Sequence, residues 1–491
     1  MNDFLPGDDY WWVDRLVRRI LSRQQRYDRL EDYFLGDHPL PNIDQRSVHA
    51  FRSMQEMSRT NYSELVTMAP VERMQIIGFR FGETDTADSE ASRFWQANEM
   101  DGQSVLLHLL CSVFGDAYAL VAPQDPVEDL GVPAITVEDP RYCAVEMDPS
   151  RPGRVMAALK IWEDQIIGKV LAVLYLPDRI VYYAGPDVAD IVDLDVVTLT
   201  GRLLSNPASA FREAGRATNT IGVVPMVRFM WRPTLGDSSY GESESVLDIQ
   251  DRINTEICNR LVISRAQAYK QRLITGIKLP DTKAGKKPPF DPGADMLWAV
   301  QDPNAKIFEF KEADISQLLA AVRDDVGDMA AVTKTPPHYL LGEVVNVSGD
   351  ALKAAETGLV SKVRQRMRTI GPSWEKVIRL CFRYTANPKS TEQVANVLWA
   401  DPESKSRAEL ADAMAKEIGA GVPLQLAMGR AGFSPEEIAF AVSEKRKLEA
   451  RAAALQAMAA ASSTQGTQTS ETSAGATETE TGTQGTSEEV T

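Results

Sequence analysis

Three segments, Tyr240-Gly241-Glu242-Ser243-Glu244, Thr335-Pro336-Pro337-His338-Tyr339-Leu340-Leu341-Gly342 and Ser348-Gly349-Asp350-Ala351-Leu352-Lys353, punctuate a helical core. The first opens a helical run. Val246, Ile249, Ile253, Ile257 and Leu261 recur three or four residues apart and form one apolar stripe. Acidic residues crowd its start (Glu242, Glu244, Asp248, Asp251) and basic ones its end (Arg265, Lys270, Arg272), as the helix dipole favours. Carried to Gly276, the run is about 33 residues and about 50 Å long. A stripe so narrow on so long a helix predicts packing against a neighbouring copy. A second helix, about 315–333, shows Ile315, Leu318, Leu319, Val322, Val326 and Met329 on one face. It must stop at Thr335, which precedes proline and is pushed out of the α region. The following 336–349 segment is apolar and bounded by Pro-Pro and Gly, which predicts a shaped loop. The third helix begins near Ser348 and buries Leu352, Leu359, Val363, Met367, Ile370, Trp374, Val377 and Cys381. It has Lys353, Lys362, Arg364, Arg366 and Arg368 on its flanks, and Gly371-Pro372 predicts a kink in its middle.

Charge separates this core from its surroundings. The 491-residue chain carries a formal −16, yet residues 242–385 hold 21 Lys/Arg against 19 Asp/Glu. Between Arg260 and Lys287 stand eight basic residues and one acidic, Asp281, in a stretch that includes Lys278, Lys283, Lys286 and Lys287. An acidic protein does not grip nucleic acid over its whole surface, because phosphate neutralisation needs cations. It can let DNA pass, with basic groups placed where contact is wanted.

Outward from the core, Trp12, Leu16, Ile20, Tyr27, Leu30 and Phe34 predict an N-terminal helix that ends at Gly36-Asp-His38-Pro39. More helix is predicted at about 61–74 and 89–113. Residues 114–230 are short runs rich in β-branched and aromatic residues (118–121, 155–162, 169–175, 179–183, 223–230), which predicts an antiparallel meander and so an α+β lobe. A helical block spans 402 to about 461, with Ser434-Pro435-Glu436-Glu437 as a capping box. Residues 462–491 are almost only Ser, Thr, Gly, Gln, Glu and Ala and are predicted to be disordered. Length predicts two to four lobes.

Several functional classes find no support. Cys111, Cys143, Cys258 and Cys381 are too far apart for zinc or redox spacing and read as buried, reduced thiols. The N-terminus has neither the basic nor the apolar region of a signal peptide, and the longest apolar runs are far short of a membrane span. None of the four histidines (His38, His49, His108, His338) sits in a metal motif. Gly285-Lys286-Lys287 lacks the upstream glycine and the hydroxyl of a phosphate loop. Gly236-Asp-Ser238-Ser239-Tyr-Gly241 is no nucleophile elbow. The 404–451 block would offer a major groove only Arg430. No enzyme, metal or cofactor is predicted.

In order along about 400 residues, the chain resembles the portal proteins, or head–tail connectors, of tailed double-stranded DNA phages, especially those of actinobacterial siphoviruses. The matching pieces are Tyr33-Phe-Leu-Gly36-Asp-His38-Pro39-Leu40, Arg73-Met-Gln-Ile-Ile-Gly78-Phe79-Arg80, the three segments quoted first and Trp374-Glu375. The resemblance implies an α+β, predominantly helical portal fold, no activity of its own, and a dodecameric ring at one capsid vertex that conducts the genome during packaging and ejection. It implies a wing (1–241), stem helices (242–275 and 313–333), a clip (276–312), a tunnel loop (334–350), a long kinked helix with wing return (351–401) and a crown (402–461). Lys334, Pro336, Pro337, His338, Tyr339, Lys353 and Lys362 would line the DNA path. Lys278, Lys283, Lys286 and Lys287 would serve partner docking, and the Val246–Leu261 stripe ring assembly. The implied partners are copies of the chain, the terminase large subunit, a head–tail adaptor, major capsid and scaffolding proteins, and duplex DNA. No membrane is implied. The implied location is the virion, after assembly in the host cytoplasm. The alternatives are another virion ring or scaffold protein, such as an adaptor, or a DNA-processing enzyme.

Overall fold

The structure is a computed structural model and describes residues 5–43, 48–82, 87–124, 131–151, 153–187, 210–268, 272–275, 306–309, 314–342, 349–403, 407–433 and 435–468. The chain divides into two units, Met1–Lys405 and Ser406–Thr491.

The first unit begins with α1 (Asp9–Leu35), which buries Trp12, Leu16, Ile20, Tyr27 and Leu30 as their spacing predicts and stops at Gly36, in the left-handed region at φ 85°. Next come α2 (Val48–Met57), α3 (Tyr62–Val71), β1 (Ile76–Phe81), α4 (Ser89–Ala97) and α5 (Met100–Phe114). Asp88 caps α4, accepting from the Glu90 and Ala91 amides at 3.0 Å. Nine strands follow: β2 (Asp116–Ala122), β3 (Ala134–Glu138), β4 (Cys143–Met147), β5 (Val155–Asp164), β6 (Lys169–Tyr175), β7 (Arg179–Asp187), β8 (Arg212–Thr218), β9 (Met226–Met230) and the two-residue β10 (Arg232–Pro233), which pairs with β11 (Ser239–Tyr240). β4 to β8 form an antiparallel meander in sequence order, but the runs 118–121 and 223–230 assigned to the same meander fall in β2 and β9 of a second antiparallel sheet, β3-β2-β9. The first half of α1 covers the five-stranded sheet, burying Trp12, Leu16 and Ile20 with Leu159, Leu174 and Tyr183.

The chain then enters α6 (Leu247–Ala268), preceded by a 3-10 turn at Glu244–Val246. β12 (Arg272–Thr275) pairs antiparallel with β13 (Lys306–Glu309), and α7 (Ile315–Thr333), α8 (Pro337–Leu341), α9 (Gly349–Tyr384) and β14 (Ala395–Trp399) complete the unit. α6 has 22 residues, about 33 Å, and not the predicted 33. The run ends early because Arg272–Thr275 takes up ladder hydrogen bonds with Lys306–Glu309, 34 residues downstream, a partnership that local periodicity does not carry. The predicted loop after Thr335 contains a full turn, α8, with Pro337 at its first position, where a missing N–H costs nothing.

α9 is the centre of the largest core. It buries Leu359, Val363, Met367, Ile370, Trp374, Val377 and Cys381 against α3, α4, α5, β2 and β9. It remains one helix through Pro372. Trp374 beside it is clamped edge-on by Trp95 and Phe229, with ring centres 5.2 and 4.8 Å away. β1 and β14 pair across that core, Phe79 opposite Val397. All four cysteines are buried and free.

The second unit holds α10 (Arg407–Gly419), α11 (Leu424–Arg430) and α12 (Pro435–Gln468). Of its described side chains, only Ala427 and Met428 are buried. α12 extends past Ser462, where the composition predicts disorder; Ser434 and residues 469–491 lie outside the described residues.

Candidate assembly and channel site

α6 and α7 pack along a single seam. Val246, Ile253 and Ile257 of α6 meet Val326, Met329 and Ala330 of α7, with Val66 of α3 and Leu340 of α8 closing the cluster. Ile253 is fully buried and Ile257 nearly so. The stripe assigned to contact between copies is therefore largely consumed inside the chain. Sequence periodicity marks which residues share a face but does not say whose surface covers it. The seam also has unequal ends. Toward the start of α7 the apolar residues emerge: Ile315 and Leu318 are half-buried and Leu319 is 43% exposed. At the matching end of α6, Leu261, Val262 and Ile263 are half-buried. Arg252 bridges the two helices, reaching Asp325 at 2.6 Å and Asp328 at 3.4 Å.

The corner between α7 and α9 is built around Lys334. Its φ of 52° puts it in the left-handed region, and its amide closes α7 on the Ala330 and Ala331 carbonyls. The lysine side chain is exposed. Pro336 is buried, Pro337 is exposed, and His338 and Tyr339 are half-buried. The Tyr339 hydroxyl accepts from Arg73 at 2.6 Å, and the same guanidinium pairs with Glu356 of α9 at 3.3 Å. The quoted motifs at Arg73 and Tyr339, 266 residues apart, thus meet in one contact. Leu340 anchors α8 in the α6–α7 seam, and Gly342 ends it at φ 65°. Lys353 is exposed on the first turns of α9.

Lys362 does not join this surface. It is 4% exposed, with its ammonium 3.1 Å from the Glu242 carboxylate and donating to the Thr333 carbonyl at 2.7 Å. Arg366, also assigned by sequence to an open flank, donates to the same carboxylate at 3.1 and 3.2 Å. Trp231 Nε1 donates to it at 2.6 Å, and Arg366 stacks 5.7 Å above the Trp231 ring. Burial pushes the Glu242 carboxyl pKa upward, but Lys362 and Arg366 outweigh it and hold the group below its ordinary value. Burial lowers the Lys362 and Arg366 pKa values despite their shared anion. The network ties the start of the α6 segment to the middle of α9 and to the end of α7. A lysine so enclosed cannot meet a phosphate, so Lys362 leaves the DNA-contact set. No sequence signal pairs it with a carboxylate 120 positions away.

Glu242 is placed by two glycines. A Cβ on Gly241 would stand 2.2 Å from the Val113 carbonyl, and one on Gly115 2.5 Å from the Ser239 carbonyl. Gly115 also has φ 88°, which side chains disfavour. The end of α5 and the segment leading to α6 therefore interlock at van der Waals contact, and the Glu242 amide donates to Ser112 O at 2.7 Å.

Two of the four histidines are core residues. Burial lowers the His108 pKa to about 3, so it is neutral, and it accepts from Trp374 Nε1 at 3.0 Å. His38 is buried with Nδ1 2.9 Å from the Asn254 side-chain amide. Among the described residues no group of three or more His, Cys, Asp or Glu side chains is placed to hold a metal ion, and no helix is long and apolar enough to cross a membrane. Lys278, Lys283, Lys286, Lys287 and the 343–348 part of the expected tunnel loop lie outside the described residues.

Residues 14–454 match the family model described as phage portal protein, SPP1 Gp6-like. The chain is 28% identical over 425 residues to the portal protein of Mycobacterium phage L5, covering 82% of this chain and 81% of that one. It is 29% identical over 419 residues to the portal protein of Mycobacterium phage D29, covering 81% and 80%.

Proposed function

The chain belongs to the SPP1 Gp6-like phage portal proteins, and from that membership we propose how its parts divide the work of a portal. A portal is a virion component that joins head to tail and serves genome packaging. Here twelve copies close a ring at one capsid vertex, and duplex DNA passes through its centre. The α6–α7 pair is the stem around the channel. Residues 276–312 are the clip, where the terminase large subunit docks during packaging and a head–tail adaptor afterwards. The corner from Lys334 into the start of α9 faces DNA, with Lys334 and Lys353 as its cations. Residues 1–241 are the wing, in contact with major capsid and scaffolding proteins, and residues 402–461 are the crown. The ring assembles in the host cytoplasm and carries out no catalysis.

The observation that carries this reading is the uneven α6–α7 seam. One end is closed by α3 and α8. The other end leaves Leu261, Val262, Ile315, Leu318 and Leu319 incompletely covered. A side-by-side neighbour in a ring would bury these residues, and their incomplete burial supports contact between copies at this end. Negative-stain microscopy and native mass measurement of the purified full-length chain test it. Rings with a central channel and a twelve-subunit mass are expected. Leu319→Asp should abolish rings while its subunits melt like the parent. A wild-type chain that remains monomeric, or normal rings from the variant, would refute it.

A further inference from the structure

A cavity of about 290 Å³ lies away from the helix corner, where the sheets meet the second half of α9. Its walls are Met147 and Gly153–Val155 from the β4–β5 hairpin, Gly222–Val224 and Met226–Arg228 at β9, and Lys376, Arg379, Leu380 and Arg383 from α9. Its composition is one-sided. Five cationic side chains line it and, among the described residues, no carboxylate does. In a chain of net charge −16 such a wall is unusual.

The five cations differ. Arg228 is already neutralised, its guanidinium 3.0 Å from Asp116 and also bound to Asp237. Of the other four, Lys376 and Arg379 hydrogen-bond to backbone carbonyls. Arg379 donates to the Glu392 and Gln393 carbonyls at 3.1 and 3.2 Å. Lys376 reaches the Gly153 carbonyl at 3.4 Å. Burial, together with repulsion from Arg379, lowers the Lys376 pKa. Glu375 attracts both, and burial raises its own carboxyl pKa. Arg154 acts on Asp148, which Ser150 already holds through its amide and hydroxyl. Arg154 and Arg383 are exposed at the mouth. The floor is apolar, made by Met147, Val155, Val223, Val224 and Leu380.

We propose that this cavity binds an acidic peptide segment of a partner protein, with an apolar side chain on the floor and flanking carboxylates on Arg154, Lys376, Arg379 and Arg383. Opposite charge at the rim and a desolvated apolar centre are the two parts of a peptide anchor. A DNA backbone offers phosphates but nothing to fill the apolar floor, and a duplex is too wide to enter a cavity of this size. The proposal does not depend on how copies of the chain assemble.

The test uses the full-length protein and a fluorescein-labelled acetyl-Glu-Asp-Phe-Asp-Glu-amide, followed by fluorescence anisotropy. Saturable binding that weakens as salt rises is expected. Arg154→Gln with Arg383→Gln should weaken it at least tenfold, and replacing the peptide's Phe by Ser should weaken it as well. Both arginines are exposed, so the variant should melt like the parent. Any of four results overturns the proposal: no binding of the peptide; binding indifferent to the two substitutions; a labelled duplex DNA binding with the same dependence on them in place of the peptide; or a change in oligomeric state in the variant, which would make the occupant a second copy of this chain.

Discussion

Replacing Glu242 by Gln should be among the most damaging single changes available in this chain. The carboxylate is 3% exposed and faces side chains of Lys362 and Arg366 that are 4% and 9% exposed. Gln has the same shape but carries no charge, and it turns an N–H group toward cations that need an acceptor. Two buried positive charges then face each other without an anion. Removing one partner from a buried ion pair costs about 3–5 kcal/mol, chiefly through the stranded charge. For a unit spanning Met1–Lys405, at about 1.2 °C per kcal/mol, the melting temperature should fall by roughly 5 °C. The assay is thermal unfolding by far-ultraviolet circular dichroism at matched protein concentration, since assembly also shifts stability. The pH dependence has a definite sign. Glu242's folded pKa lies below its unfolded value, so its contribution is complete above the ordinary carboxylate range and is lost as pH falls through the folded pKa. The gap between parent and Glu242→Gln should therefore be full at neutral pH and shrink on acidification below about 4. Adding Lys362→Met to Glu242→Gln should cost less than the two single losses together, because the second change removes the stranded charge. A neutral-pH loss under about 1 kcal/mol, or strict additivity of the pair, would refute the reasoning.

Ile253→Asp should lower the melting temperature of the subunit itself, because Ile253 is fully buried in the chain's own α6–α7 seam; the milder Ile253→Ala should cost about 2–5 kcal/mol, and an unchanged melt with only rings lost would return the residue to an interface between copies. Gly115→Ala should destabilise strongly, since its Cβ would stand 2.5 Å from a backbone carbonyl at φ 88°; soluble yield and melting temperature read this, and a neutral outcome would contradict the interlock with Ser239. Lys334→Gly should leave stability unchanged or raise it by about 1 kcal/mol by relieving a left-handed side chain, whereas Lys334→Gln should keep normal rings but shorten the DNA packaged, measured by gel on purified particles; full-length genomes would take this lysine out of the DNA path.

Much of the scaffold was legible in the residue order. The α9 stripe from Leu359 to Cys381 is buried at every position that helical spacing marks, because a long amphipathic period has one geometric solution. The end of α7 followed from Thr335-Pro336, and the meander from short β-branched runs separated by turn residues. The β1–β14 pair was not legible. Its two short strands lie more than 300 residues apart, and neither signals a partner. The end of α6 was misplaced for the same reason: a distant strand competes for Arg272–Thr275. At the candidate site Lys334 is exposed and Tyr339 half-buried, and the Arg73 contact to Tyr339 joins two motifs that the sequence shows only as separate strings.

By itself, the sequence determined the helices, their apolar faces, the acidic balance around a near-neutral core and the ordered motifs of a portal protein. These are properties of neighbours along the chain, where spacing fixes geometry. Only the tertiary structure decided which faces are already covered and which cations are already neutralised. Ile253 and Leu319 are alike as apolar points on helical stripes, and Lys362 and Lys353 are alike as basic points on one helix. Ile253 is enclosed by α7, whereas Leu319 on α7 itself is exposed; Lys362 sits on Glu242, while Lys353 stands at the surface. Burial and ion pairing are set by what folds against a residue from far away, so they cannot be read from the residue or its neighbours.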